Sequence, residues 1–164
     1  MSGAARHSER ADAPRERPAG RVAALDLGSK RVGVAYSDSG RTIASPWGTI
    51  ERSGDAGRDR TAVVDAVREI EASVVVVGLP LSLSGAAGPA ARAALEEAEE
   101  LRVALEPFGV AVEMADERFT TTEAQRGLTA SGRDAKASRR LIDSAAAMVL
   151  LQAWLDRDRD RDRT

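Results

Sequence analysis

Residues 74–77 are four consecutive valines that run directly into Gly78-Leu79-Pro80. Side chains alternate between the two faces of a strand, so an unalternated β-branched run requires apolar cover on both faces. The segment therefore reads as a central strand lying between two layers, and Pro80, which has no amide to donate, ends it. Helices to cover it lie on either side in sequence. Residues 58–71 place Val63, Val67 and Ile70 along one side of a helix. Residues 86–106 form a longer one, with Leu95, Ala98, Leu101 and Leu105 expected inward and the glutamates outward.

The N-terminal half is rich in hairpins. Residues 21–27 (RVAALDL) read as a buried strand, Gly28-Ser29 as a turn, and residues 32–37 (VGVAYS) as the returning strand. Residues 43–50 form a third strand, and Pro46 assigns it to an edge. Residues 110–114 supply another strand. Thr120 and Glu123 match a capping box that opens a short helix. Residues 127–138 read as a mobile loop, and residues 139–155 as the last helix. The order β-β-β-α-β-α-β-α-α predicts an α/β fold with a mixed sheet.

Residues 1–20 carry four Arg, three acids and two Pro with only small apolar residues, so they are expected to be a disordered leader. The domain proper is expected at 21–155. Residues 156–164 begin with a strict Asp-Arg alternation and are expected to fray as a charged tail. No apolar run approaches the ~20 residues of a membrane helix, and the first residues are charged where a signal peptide is apolar. A chain without membrane contact, in the cytoplasm, is the expectation.

The 164 residues include one histidine, His7 in the polar leader, and no cysteine. That excludes thiol nucleophiles and thiolate zinc sites, and disfavours a Ser-His-Asp triad. Carboxylates, hydroxyls, basic side chains and backbone amides remain. Three carboxylates stand out. Asp26 sits on one face of an otherwise apolar strand, where an uncompensated charge is costly. Glu117 follows the last strand. Asp143 lies in an early turn of the final helix, before Ser144-Ala145-Ala146-Ala147, whose small side chains allow close approach to the sheet. Taken singly, each has an ordinary explanation: a turn residue, a partner for Arg118, a charge offsetting the helix dipole.

Open α/β sheets build sites beyond the carboxyl ends of their strands. Three carboxylates converging there repel one another unless a cation neutralises them. Hard oxygen donors favour Mg²⁺ or Mn²⁺, and such a centre activates water against a phosphodiester. Residues 21–155 hold 16 basic and 19 acidic groups, so nucleic acid must be met by a local patch. Residues 118–140 carry six basic residues and two acids, whereas 93–117 carry eight acids and one Arg. Arg118, Arg133 and Lys136 in the basic stretch, with Lys30 and Arg31 at the first hairpin, are the candidate substrate contacts. Five aromatic residues provide no stacking platform for single strands.

Four ordered blocks, Leu25-Asp26-Leu27-Gly28-Ser29-Lys30-Arg31-Val32-Gly33-Val34-Ala35, Val76-Val77-Gly78-Leu79-Pro80-Leu81, Asp116-Glu117-Arg118-Phe119-Thr120-Thr121 and Ile142-Asp143-Ser144-Ala145-Ala146, resemble the YqgF/RuvX family of RuvC-like, RNase H-like pre-16S rRNA nucleases. The resemblance implies an RNase H-like, five-stranded mixed sheet flanked by helices and a cytoplasmic location. It also implies metal-dependent phosphodiester cleavage with Asp26, Glu117 and Asp143 as the matching acids. The loop Leu81-Ser82-Leu83-Ser84-Gly85 lacks the Asn and Asp often seen in the family, so no substrate contact is assigned to it.

Three competing functions remain beside a precursor-rRNA nuclease. Four-way DNA junction cleavage keeps the chemistry but normally needs two active sites and hence a dimer; monomer and homodimer are both open. A non-catalytic RNA-binding or transcription factor keeps only the binding. Asp26-Leu27-Gly28-Ser29 also resembles the first phosphate loop of actin-like ATPases, but a single domain of this length cannot form their two-domain cleft.

Overall fold

The computed structural model describes residues 19–82, 84–119 and 135–164, the side chains of 119 and 135–143 excepted. Five strands form one sheet: β1 (Arg21–Leu27), β2 (Arg31–Ser37), β3 (Ala44–Glu51), β4 (Ala72–Leu79) and β5 (Ala111–Asp116). Their order is β3-β2-β1-β4-β5. The first three run antiparallel, while β4 and β5 are parallel to β1. The expected mixed sheet is present, with the valine run in β4 between β1 and β5, and Pro46 on edge strand β3.

Side-chain alternation builds two cores. Ala23, Leu25, Val75 and Val77 face helix α1 (Ala56–Ile70) and helix α2 (Pro89–Leu105). Val22, Ala24, Val74 and Val76 face helix α3 (Ala135–Asp162), which buries Ala147, Leu150, Leu151 and Leu155 against them. Truncating one such leucine to alanine typically costs about 2–5 kcal/mol. No helix among the described residues is long and apolar enough to cross a membrane.

The helix boundaries differ from the sequence reading for local reasons. Asp55 caps α1 by accepting the Arg58 amide at 3.0 Å, which starts the helix at Ala56. Gly88 is the N-cap of α2 and Pro89 its first residue. The buried stripe of α2 is Ala91, Ala94, Ala98, Leu101 and Leu105; Leu95 lies beside it and is 41% exposed, not inward as expected. Helix α3 begins at Ala135, inside the segment read as a loop, and continues to Asp162 instead of fraying. Asp156 accepts from both Gln152 and Arg159, so pairs three and four residues apart support the extended end. Residues 1–18, the rest of the 127–138 loop and the Thr120/Glu123 capping box lie outside the described residues.

Candidate active site

Asp26 follows Leu25 on β1, and alternation carries it to the α3 side of the sheet. Leu25 pairs with Val77, so one step further Asp26 is level with Gly78 of β4. Gly78 pairs with Ala115 and Leu79 with Asp116, which puts Glu117 just past the end of β5, in a 3-10 turn over Glu117–Phe119. Neighbouring strands lie about 4.8 Å apart, so a residue on β5 must reach across the whole of β4, about 10 Å, to meet one on β1.

Glu117 makes that crossing. A Cβ built on Gly78 would sit 3.0 Å from both Cγ and Cδ of Glu117 and collide with its Oε1. The carboxyl beyond is hydrogen-bonded to Asp26. Glycine inside a strand marks close approach of another group, and here that group is the Glu117 side chain. The sequence showed Gly78 only as the end of a strand, and register alone reveals what the missing side chain makes room for.

The two acids strain against each other. Burial first, then the negative charge of Asp26 and their hydrogen bond, push the Glu117 carboxyl up to about 7 from its usual 4.5. Asp116, one residue earlier, behaves differently. Its carboxylate takes the Arg118 Nε at 2.8 Å and the Arg118 amide at 2.9 Å, and these bonds hold its pKa below the usual range.

The third acid comes from α3. Ser144 is buried and its Oγ donates to the Val34 carbonyl of β2 at 3.4 Å. Val34 pairs with Leu25, so the helix passes this level of the sheet on the same side as Asp26. Eight residues on, the Gln152 side chain accepts the Ala44 amide at 2.9 Å, at the opposite end of β2. Backbone position 143 is thus at the Asp26 end of the sheet; its side chain lies outside the described residues. Among the described residues no three acidic or histidine side chains gather to hold a metal. Asp26 and Glu117 are brought together. They present only oxygen donors, hydrogen-bonded to each other where a cation would neutralise both, which fits a hard divalent ion.

The basic candidates separate. Lys30 is exposed on the β1–β2 turn, beyond Asp26. Arg31 opens β2 with its side chain only 17% exposed, 3.8 Å from Glu51 across the strand pair. Arg118 is held by Asp116, with its guanidinium against the Gly85 backbone. Arg133 and the side chain of Lys136 lie outside the described residues.

A family model described as "RuvX: Holliday junction resolvase" matches residues 20–157. The chain belongs to the RuvX family. Among relatives, a Mycobacterium sp. (strain KMS) protein is 46% identical over 140 residues, covering 85% of this chain and 82% of its own. A Nocardia farcinica protein is 44% identical over 154 residues, covering 91% and 84%. Both bear the name of a pre-16S rRNA nuclease. The solved structure of T. thermophilus RuvC in complex with a Holliday junction substrate superimposes with a TM-score of 0.54 at 16% identity, covering 85% of this chain and 96% of that one. At that identity the likeness is one of fold, and it gives this RuvX member the RuvC-like, RNase H-like architecture.

Proposed function

We propose that this RuvX-family nuclease is a cytoplasmic, Mg²⁺- or Mn²⁺-dependent enzyme that cuts phosphodiester bonds at the end of precursor 16S rRNA. The observation that carries the reading is the crossing of Glu117 over Gly78 to Asp26. A sheet has little reason to bring two carboxyls together at such electrostatic cost unless a cation belongs with them. Asp26 and Glu117 would hold the ion, with Asp143 of α3 as the third acid. When bound, the ion supplies Lewis-acid activation of water and neutralises charge on the phosphate.

The residues of the chain do the rest. The strand ends fix the two carboxylates, so little reorganisation is needed when the phosphate arrives. Lys30, on the turn beyond Asp26, meets the nucleic-acid backbone, and Arg31, Arg118, Arg133 and Lys136 add positive charge around it. Such contacts position the strand without reading its sequence. The names of relatives at 44–46% identity support precursor rRNA as substrate. The family description supports a second substrate, the four-way DNA junction.

The deciding experiment incubates purified protein with a 5′-extended 16S rRNA fragment and a four-way DNA junction in parallel, with and without Mn²⁺. Mn²⁺-dependent cutting of the RNA, absent in Asp26→Asn, is expected. Symmetric cuts in the junction with intact RNA would decide for the resolvase. No cutting of either, with retained RNA binding, would decide for a non-catalytic factor.

A further inference from the structure

The β1–β2 turn, which follows Asp26 and carries Lys30, is fastened by a residue distant in sequence. Arg52 lies just past the end of β3. Its Nε donates to the Gly28 carbonyl at 2.7 Å, and its backbone amide donates to the Lys30 carbonyl at 3.0 Å. The two terminal nitrogens of the same guanidinium grip Glu97 of α2, each at 3.0 Å from one carboxylate oxygen. This fork is only 21% exposed on the arginine side and 29% on the glutamate side. Bidentate, partly buried pairs of this kind are directional in a way a lysine cannot copy.

The next residue fastens the same segment to the other helix. Asp59 of α1 accepts both the Ser53 amide at 2.8 Å and the Ser53 hydroxyl at 2.6 Å. The turn itself is tight. The Gly28 amide donates to the Asp26 carbonyl at 3.1 Å, and a Cβ on Gly28 would lie 2.6 Å from the Arg31 carbonyl oxygen. A contact at Gly28 therefore bears directly on the backbone of Asp26.

We infer that Arg52 is a positioning residue for the nuclease site: its fork with Glu97 and its bond to Gly28 hold the turn, and through it Asp26, in register with Glu117. The inference rests on the nuclease reading above. Arg52 acts through the turn and Glu97, to which its bonds run, and its effect is to remove freedom from the strand end that carries the first carboxylate. Small misplacements of a catalytic group are expensive, with about 1 Å costing on the order of 100-fold in rate.

The test compares full-length wild type with Arg52→Ala, Arg52→Lys and Glu97→Gln. Amide hydrogen exchange is followed at residues 28–31 and, as an internal reference, at residues 75–77. Mn²⁺-dependent cleavage gives kcat and KM separately. In Arg52→Ala, exchange in the turn should quicken by about tenfold or more while the β4 reference is unchanged. Its kcat should fall by about tenfold or more with KM within about threefold. Arg52→Lys should not restore kcat, and Glu97→Gln should be intermediate. Wild-type kcat in Arg52→Ala, full recovery in Arg52→Lys, or exchange quickened equally at residues 75–77 would each overturn the inference. If wild type cleaves nothing, the nuclease reading fails, and the exchange comparison still decides whether Arg52 holds the turn.

Discussion

Gly78 and Glu117 occupy one space: the room a side chain would take on Gly78 is filled by the Glu117 carboxyl on its way from β5 to Asp26 on β1. Three parallel strands thus contribute one acid, one gap and a second acid at the same end of the sheet. The middle strand has to be the one with no side chain there, because it lies between the two acids.

Gly78→Ala should therefore inactivate the protein without unfolding it. The added methyl displaces Glu117 from Asp26, and kcat should drop by about 100-fold or more. Thermal melting should stay within several degrees of wild type: Gly78 is buried, but the nearest atoms the methyl would meet belong to the Glu117 side chain, which can swing away, and not to backbone. Cleavage kinetics beside a melting curve check this, and wild-type turnover would show that Glu117 does not need the gap.

Length should matter as much as charge at position 117. Glu117→Gln keeps the reach and loses the charge, whereas Glu117→Asp keeps the charge and loses one methylene of reach across β4. Both should lose cleavage by about 100-fold or more, as should Asp26→Asn, and any pair combined should lose little further because the acids act as a unit. Single-turnover rates at saturating Mn²⁺ measure this. An active Glu117→Asp would mean that the distance across β4 is not what selected glutamate.

Stability without metal should fall with rising pH. Glu117 is raised from 4.5 to about 7 in the folded protein, so the folded state binds the proton more tightly than the unfolded chain. Its contribution is whole below about pH 4.5 and is lost as pH climbs through about 7. In EDTA, the melting temperature of wild type relative to Glu117→Gln should decline between pH 5 and pH 8. Mn²⁺ should recover it at pH 8, since a ligand of the folded state stabilises it. A flat difference across that window would remove the strain between the two carboxyls from the account.

Much of the fold was legible in the sequence because it rests on local patterns. The four valines required a covered central strand, Pro46 required an edge, and the strands at 21–27 and 32–37 are where alternation and Gly28 put them. Asp26 was conspicuous as a charge among apolar neighbours. What escaped depends on packing. Leu95 and Ala94 both suit an apolar stripe, and only the placement of α2 on the sheet decides that Ala94 goes in. The Asp-Arg tail reads as too polar to order, yet it continues a helix already anchored by Leu151 and Leu155. The partnership of Glu117 with Gly78 and Asp26 depends on the register of strands some 90 residues apart, which no local window contains.

Binding should be electrostatic and indifferent to sequence. The basic excess of residues 118–140 motivates Arg133→Ala combined with Lys136→Ala, which should weaken RNA binding by a similar factor for every sequence tried. The slope of log affinity against log salt should shrink by about 1–2. Filter-binding titrations at several salt concentrations measure both. Unchanged affinity and slope would mark the excess as an ordinary solvated surface.

The most direct measurement is anomalous scattering from crystals soaked in Mn²⁺ at pH 8. The account expects a peak in contact with the carboxylates of both Asp26 and Glu117, lost in crystals of Gly78→Ala. A peak elsewhere, or a peak at this position that survives Gly78→Ala unchanged, would contradict it.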